Sequence, residues 1–109
     1  MFKITKALER KFEKSPLYSK DGQGTKAKVI AKFFMPIGSA TWLITEAEKQ
    51  ADGDYLFFGY CYLYEWEWGY FRLSELENLR ANRVFCVELD KHLPNNITVE
   101  ECVEYLGYE

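Results

Sequence analysis

The chain has 109 residues, 48% hydrophobic and 28% charged, with 14 Lys+Arg against 17 Asp+Glu. These values fit one globular domain with a single core and exclude a wholly disordered chain or two full domains. No apolar run approaches the length of a membrane-spanning helix, and three cysteines without a C-x-x-C pair, beside a single histidine, exclude a disulfide framework, a structural zinc site and a His-rich metal centre.

Residues 4–14 carry Ile4, Leu8 and Phe12 at helical spacing with charges between them, which predicts a short amphipathic helix. Ser15-Pro16 ends it, because proline disfavours the helical region for its predecessor. Asp21-Gly22-Gln23-Gly24 is a turn. From residue 26 the period changes to two. Val29, Ala31 and Phe33 mark a half-buried strand, Pro36-Ile37-Gly38 breaks it, and residues 40–46 form a second strand around Trp42 and Ile44. Asp52-Gly53 turns the chain into residues 55–64, the most β-prone stretch, and a tight connection at Glu65-Trp66 leads to a strand over 67–73.

Ser74-Glu75-Leu76-Glu77 has the form of a capping box, predicting a helix over 75–81. Residues 83–90 read as one more strand, with Phe85, Val87 and Leu89 on one face. Thr98-x-x-Glu101 is a second capping box. It opens a final helix over 97–107 with Val99, Cys102, Val103 and Leu106 on one face and Gly107 at its end. The expected architecture is α+β: one small domain over 1–109, with an antiparallel sheet of four to five strands and two to three short helices on one face of it. Within it, 1–25 is a basic helix and loop, 26–92 the sheet-forming core and 97–107 the closing helix.

The charge is polarised. Residues 1–32 hold nine Lys/Arg and three acids, whereas the remainder holds five and fourteen. Packing the two halves together would neutralise much of this. Otherwise the basic segment, with Lys3, Lys6, Arg10, Lys11 and Lys14, offers a route to nucleic acid, and the acidic part faces a basic partner. The run 1–12 is basic and lacks the apolar stretch of a secretion signal, so the expected location is the cytoplasm.

Several residues carry enough chemistry to be sites. Tyr60, Tyr62 and Tyr64 alternate along one strand, and Trp66, Trp68 and Tyr70 along the next. That much ring area cannot face water on both sides of a sheet, so one face is core and the other is covered or binds a partner. Acids outnumber bases here, which opposes stacking of nucleic-acid bases. Glu65 and Glu67, together with Glu88, Asp90 and His92, form the alternative. If the two groups met, they would offer oxygen ligands to Mg²⁺ or Mn²⁺. Gly22-Gln23-Gly24 precedes a strand and lacks the Gly-Lys-Ser/Thr ending of a phosphate loop, so no nucleotide cofactor is expected.

The motifs Lys32-Phe33-Phe34-x-Pro36, Trp42-x-x-Thr45-Glu46, Phe58-Gly59, Glu65-x-Glu67-x-Gly69-Tyr70-Phe71-x-Leu73-x-Glu75-Leu76 and Glu88-x-Asp90 span about residues 17–95. Through them the chain resembles small proteins of conjugative plasmids, integrative elements and phages grouped as a domain of unknown function; the tail, 97–109, looks less like that family. The resemblance implies a setting among genes for DNA mobility and antirestriction, and no mechanism. The expected function is therefore a non-enzymatic accessory protein, with an anti-restriction or anti-CRISPR inhibitor as one form. It would bind a protein partner, such as a basic nucleic-acid-binding protein, through Tyr60, Tyr62, Tyr64, Glu65, Trp66 and Glu67, without a cofactor. A second copy of the chain is another occupant for that surface. The alternative is a divalent-metal-dependent hydrolase or nuclease using Glu65, Glu67, Glu88, Asp90 and His92.

Overall fold

The computed structural model describes residues 2–106. In chain order the elements are α1 (Lys6–Glu13), a 3-10 turn (Gly24–Lys26), β1 (Ala31–Phe34), β2 (Thr41–Lys49), β3 (Tyr55–Tyr62), β4 (Trp66–Arg72), α2 (Leu73–Asn78), β5 (Arg80–Ala81), β6 (Phe85–Cys86), β7 (Glu88–Leu89) and α3 (Val99–Leu106). Five strands form one antiparallel sheet in the order β4-β3-β2-β1-β7, and β5 and β6 pair separately. The architecture is the expected α+β single domain. No helix among the described residues is long and apolar enough to cross a membrane.

The helices do not share one face of the sheet, contrary to expectation. α1 buries Leu8 and Phe12 against Phe33, Trp42, Ile44 and Phe57 on the first face. On the second face, α3 buries Val99 and Cys102 against Val29 and Leu43. The signal is in β2, whose residues 41–47 are all buried. A strand covered on both sides reads as a continuous apolar run, and Trp42-Leu43-Ile44 is such a run. A β-bulge between Ile44 and Glu46 then exchanges the faces. Glu46 stands opposite Phe58 on the second face, and Ala47 opposite Phe57 on the first.

Three local expectations shift. The helix after β4 begins at Leu73, because Glu75 reaches back to accept from the Arg72 amide at 2.9 Å. Ser74 does not cap it; its hydroxyl donates to Asp54 at 2.7 Å. The tight connection lies at residues 63–65, with Trp66 already paired to Tyr62. The expected strand over 83–90 is broken. Asn82 and Arg83 adopt left-handed conformations (φ 51° and 63°), folding β6 back onto β5 and leaving only Glu88 and Leu89 to pair with β1. The second capping box forms as read: the Thr98 hydroxyl accepts from the Glu101 amide at 3.2 Å, and the Glu101 carboxylate accepts from the Thr98 amide at 3.0 Å. The expectation for Gly107 and for the Leu106 side chain lies outside the described residues.

Candidate aromatic docking surface

Cross-strand register sets the site. On the second face, Glu46, Phe58 and Tyr70 form one row across β2, β3 and β4; Leu43, Tyr60 and Trp68 form the next; Thr41, Tyr62 and Trp66 the third. Each row therefore ends in one ring on β3 and one on β4. The rings interlock in a zigzag: Tyr70 to Phe58 (4.9 Å between centroids), Phe58 to Trp68 (5.4 Å), Trp68 to Tyr60 (4.8 Å), Tyr60 to Trp66 (5.0 Å) and Trp66 to Tyr62 (5.3 Å). Such pairs hold each other's orientation and stiffen the surface. α3 covers part of the strip, where Tyr60 and Trp66 pack against the cluster of Val29, Leu43, Val99 and Cys102. Towards the edge it opens, and Trp68 and Tyr70 are 37% and 53% exposed.

The other flank of the strip is the loop before the 3-10 turn. Glu46, 3% exposed, holds it down by accepting from the amides of Tyr18 (2.8 Å) and Lys20 (2.9 Å). Between this loop and the sheet lies a cavity of about 380 Å³, lined by Lys20, Asp21, Thr45, Glu46, Phe58 and Trp68 among others. Burial pushes the Lys20 ammonium down, and the Glu46 carboxylate draws it part of the way back. The Tyr70 hydroxyl is pushed up, by desolvation first, then by its hydrogen bond with Tyr18 and the charges of Glu46 and Asp21.

β4 is an edge strand with pairing on one side only among the described strands. Its seven residues, WEWGYFR, contain no proline and no lysine, and its charges against edge pairing are Glu67 and Arg72. The opposite edge, β7, is protected by being two residues long. Behind β4, on the first face, a groove of about 440 Å³ is lined by Trp42, Cys61, Leu63, Glu67, Phe71, Glu75 and Leu79, among others.

The sequence-predicted surface divides accordingly. Tyr60, Tyr62 and Trp66 share the second face and are half-buried, while Tyr64 (95% exposed) and the exposed Glu65 sit at the hairpin tip. Glu67 lies opposite Cys61 and so projects from the other face, into the groove. Phe58, Trp68 and Tyr70 complete the strip. Their alternation with the named residues was the available signal.

The alternative carboxylate set is not assembled. Glu88 and Asp90 fall on the same side, as strand alternation requires, but Asp90 pairs with Lys32 at 3.4 Å and accepts from the His92 amide at 2.8 Å, turning the chain. His92 and Asp90 line one cavity of about 190 Å³ with Lys32, Leu93, Ile97 and Cys102. Glu67 is on β4, at the far edge, four strand spacings or about 19 Å away. Among the described residues, no group of three or more His, Cys, Asp or Glu is placed to hold a metal ion.

The expected neutralisation between the two halves of the chain is partial. Lys26 pairs with Glu100 at 2.7 Å and Lys32 with Asp90. Lys3, Lys6, Arg10, Lys11 and Lys14 are exposed, and among the described residues none of them has an acid within ion-pair distance.

Residues 3–105 match the family described as "Protein of unknown function (DUF2958)", and the chain belongs to that family. The match takes in α1 and nearly all of α3, beyond the span marked by the motifs. Neither the curated proteins nor the solved structures contain a match to the chain.

Proposed function

We propose that this protein is a binding module that takes an extended, basic segment of a partner protein along the open edge of β4. The observation that carries the reading is the seven-residue edge left unpaired among the described strands, with an aromatic strip on one face and an apolar groove bearing Glu67 and Glu75 on the other. A strand added to such an edge gains main-chain hydrogen bonds, and its alternate side chains reach the two faces in turn. On the second face they meet Trp68 and Tyr70, where aromatic area gives affinity at low entropic cost. On the first they meet the groove, whose carboxylates favour Lys or Arg over acids. The motif resemblance supplies the setting: an accessory factor of a mobile genetic element, with inhibition of a DNA-acting defence protein as one form.

The test is an affinity capture from host lysate, read by mass spectrometry, with the wild-type chain and a Trp68→Ala/Tyr70→Ala variant shown to be folded. The expected result is a protein held by the wild type and lost by the variant, with a basic segment that protects the β4 amides from hydrogen exchange. A partner protecting other amides, or one held equally by the variant, overturns the reading.

A further inference from the structure

A second surface is carried by α1, on the face of the sheet opposite the aromatic strip. Its inner side is fixed: Phe12 is 1% exposed, with its ring 5.0 Å from Tyr55 and 5.2 Å from Phe57, and Leu8 is buried beside it. Its outer side carries Lys6, Arg10 and Lys14 at four-residue spacing, flanked by Lys3 and Lys11, all exposed. Cations at i, i+4 repel one another on a helix, and here none is relieved by an ion pair among the described residues. Of the two acids on α1, Glu9 is turned inward, accepting from the Tyr55 hydroxyl at 3.1 Å and facing Lys49 at 3.9 Å, while Glu13 is exposed at the edge of the row, three residues from Arg10, so the outer face keeps a net positive charge. The concentration of charge is not a by-product of a basic protein, since the whole chain is at -3.

We infer that the outer face of α1 binds the phosphate backbone of double-stranded DNA. Three features select that ligand among polyanions. The outer face offers no aromatic or large aliphatic anchor, only Ala7 between the charges, so it lacks the centre that a protein interface needs. The apolar side of α1 is committed to the core, so the helix cannot insert into a lipid surface. From Lys6 to Lys14 the row is about 12 Å long at the helical rise, close to the width of the major groove. A helix laid across that groove brings the two ends of the row to phosphates on opposite strands. The recognition is electrostatic and independent of base sequence.

The experiment is fluorescence anisotropy of a labelled duplex of about 20 base pairs, titrated with the full chain at about 50 and 200 mM salt. At about four phosphate contacts, affinity falls about 100-fold between those salts. Lys6→Gln/Arg10→Gln/Lys14→Gln lowers the slope of log affinity against log salt by about 3. Ala7→Glu, which adds an acid inside the row and a favourable i, i+4 pair with Lys11, weakens binding while leaving the helix at least as stable. Trp68→Ala/Tyr70→Ala binds DNA as the wild type does, which separates this surface from the docking edge of β4. Affinity that is flat in salt, a triple variant that binds undiminished, or displacement by poly-glutamate as effective as by unlabelled duplex each overturns the assignment; the last would make the surface a site for acidic polypeptides.

Discussion

Glu46 and Tyr18 are joined across 28 residues of sequence by a 2.8 Å hydrogen bond from the Tyr18 amide to the carboxylate of Glu46. The bond exists because the bulge at Thr45 turns Glu46 onto the second face, under the loop. Tyr18 takes a left-handed conformation there, with φ 72°, which a bulky residue adopts only when its surroundings fix it. The second oxygen of Glu46 accepts from the Lys20 amide at 2.9 Å. One buried carboxylate thus secures a strained loop and forms part of the wall of the aromatic cavity.

Replacing that carboxylate therefore acts on stability and on the surface together. Glu46→Ala leaves two backbone donors without their acceptor and is expected to cost about 2–4 kcal/mol. Glu46→Gln keeps one acceptor oxygen and costs less. Urea denaturation measures both. Hydrogen exchange shows whether the amides of Tyr18 and Lys20 lose protection first, as a loop released from the sheet requires.

Gly59 and Gly69 face each other across β3 and β4, yet substitution separates them. A Cβ at Gly59 would fall on the carbonyl oxygen of Leu43, which belongs to the adjacent strand and cannot yield. A Cβ at Gly69 meets nothing within 4 Å. Gly59→Ala is expected to lose about 3 kcal/mol or more, through a backbone collision in the sheet. Gly69→Ala is expected to remain within about 0.5 kcal/mol of wild type or to gain slightly, since alanine restricts the unfolded chain. Equal urea midpoints for the two variants would contradict the close approach of β3 to β2.

What could be read from the residues follows from how local each determinant is. The α1 stripe, the Thr98 capping box and the alternation of 55–62 are fixed within a few positions, and they reappear in place. The start of α2 is not fixed locally, because Ser74 can serve either its own helix or Asp54, twenty residues away, and only the fold decides between them. The break near residue 83 depends on Asn82 and Arg83 entering the left-handed region, for which the sequence offered only an asparagine as a cue. The aromatic strip was legible as a period of two. Its flanking wall was not, because the bulge that aims Glu46 has no local signature. The separation of Glu67 from Glu88 and Asp90 is a matter of strand order, which periodicity does not encode.

Asp54 makes stability depend on pH. Its carboxylate accepts from the amides of Tyr55 (2.8 Å) and Ser74 (3.1 Å) and from the Ser74 hydroxyl, with Arg72 at 3.7 Å. Burial acting alone would push this carboxyl up, but the hydrogen bonds from Ser74 and Tyr55 and the Arg72 charge outweigh it and hold it below the usual range. A carboxyl depressed in the folded state contributes its full stabilisation above the unfolded pKa, near 3.9, and loses it as pH falls through the lower folded value. Asp54→Asn is expected to cost about 1 kcal/mol at neutral pH. The gap to wild type should narrow as pH drops below about 4, which urea midpoints measured across that range would reveal. A gap that stays constant would assign the effect to packing.

The cysteines give a probe of the same packing that requires no substitution. Cys61 lies between Trp42 and Glu67 in the cross-strand register, and burial pushes its thiol up to about 12. Cys102 on α3 is pushed up to about 11, by burial first, with Lys32 opposing and Asp90 and Glu101 adding to the rise. The thiolate is the reactive form, so at about pH 8 both thiols are held almost wholly in the unreactive state, whereas about a quarter of an ordinary thiol is ionised. Alkylation of the native protein at these two positions, followed by peptide mass spectrometry, should run at least about 100-fold slower than in urea. Rapid labelling of Cys102 in the native state would mean that α3 leaves the sheet readily, exposing the second face that it covers beside Leu43.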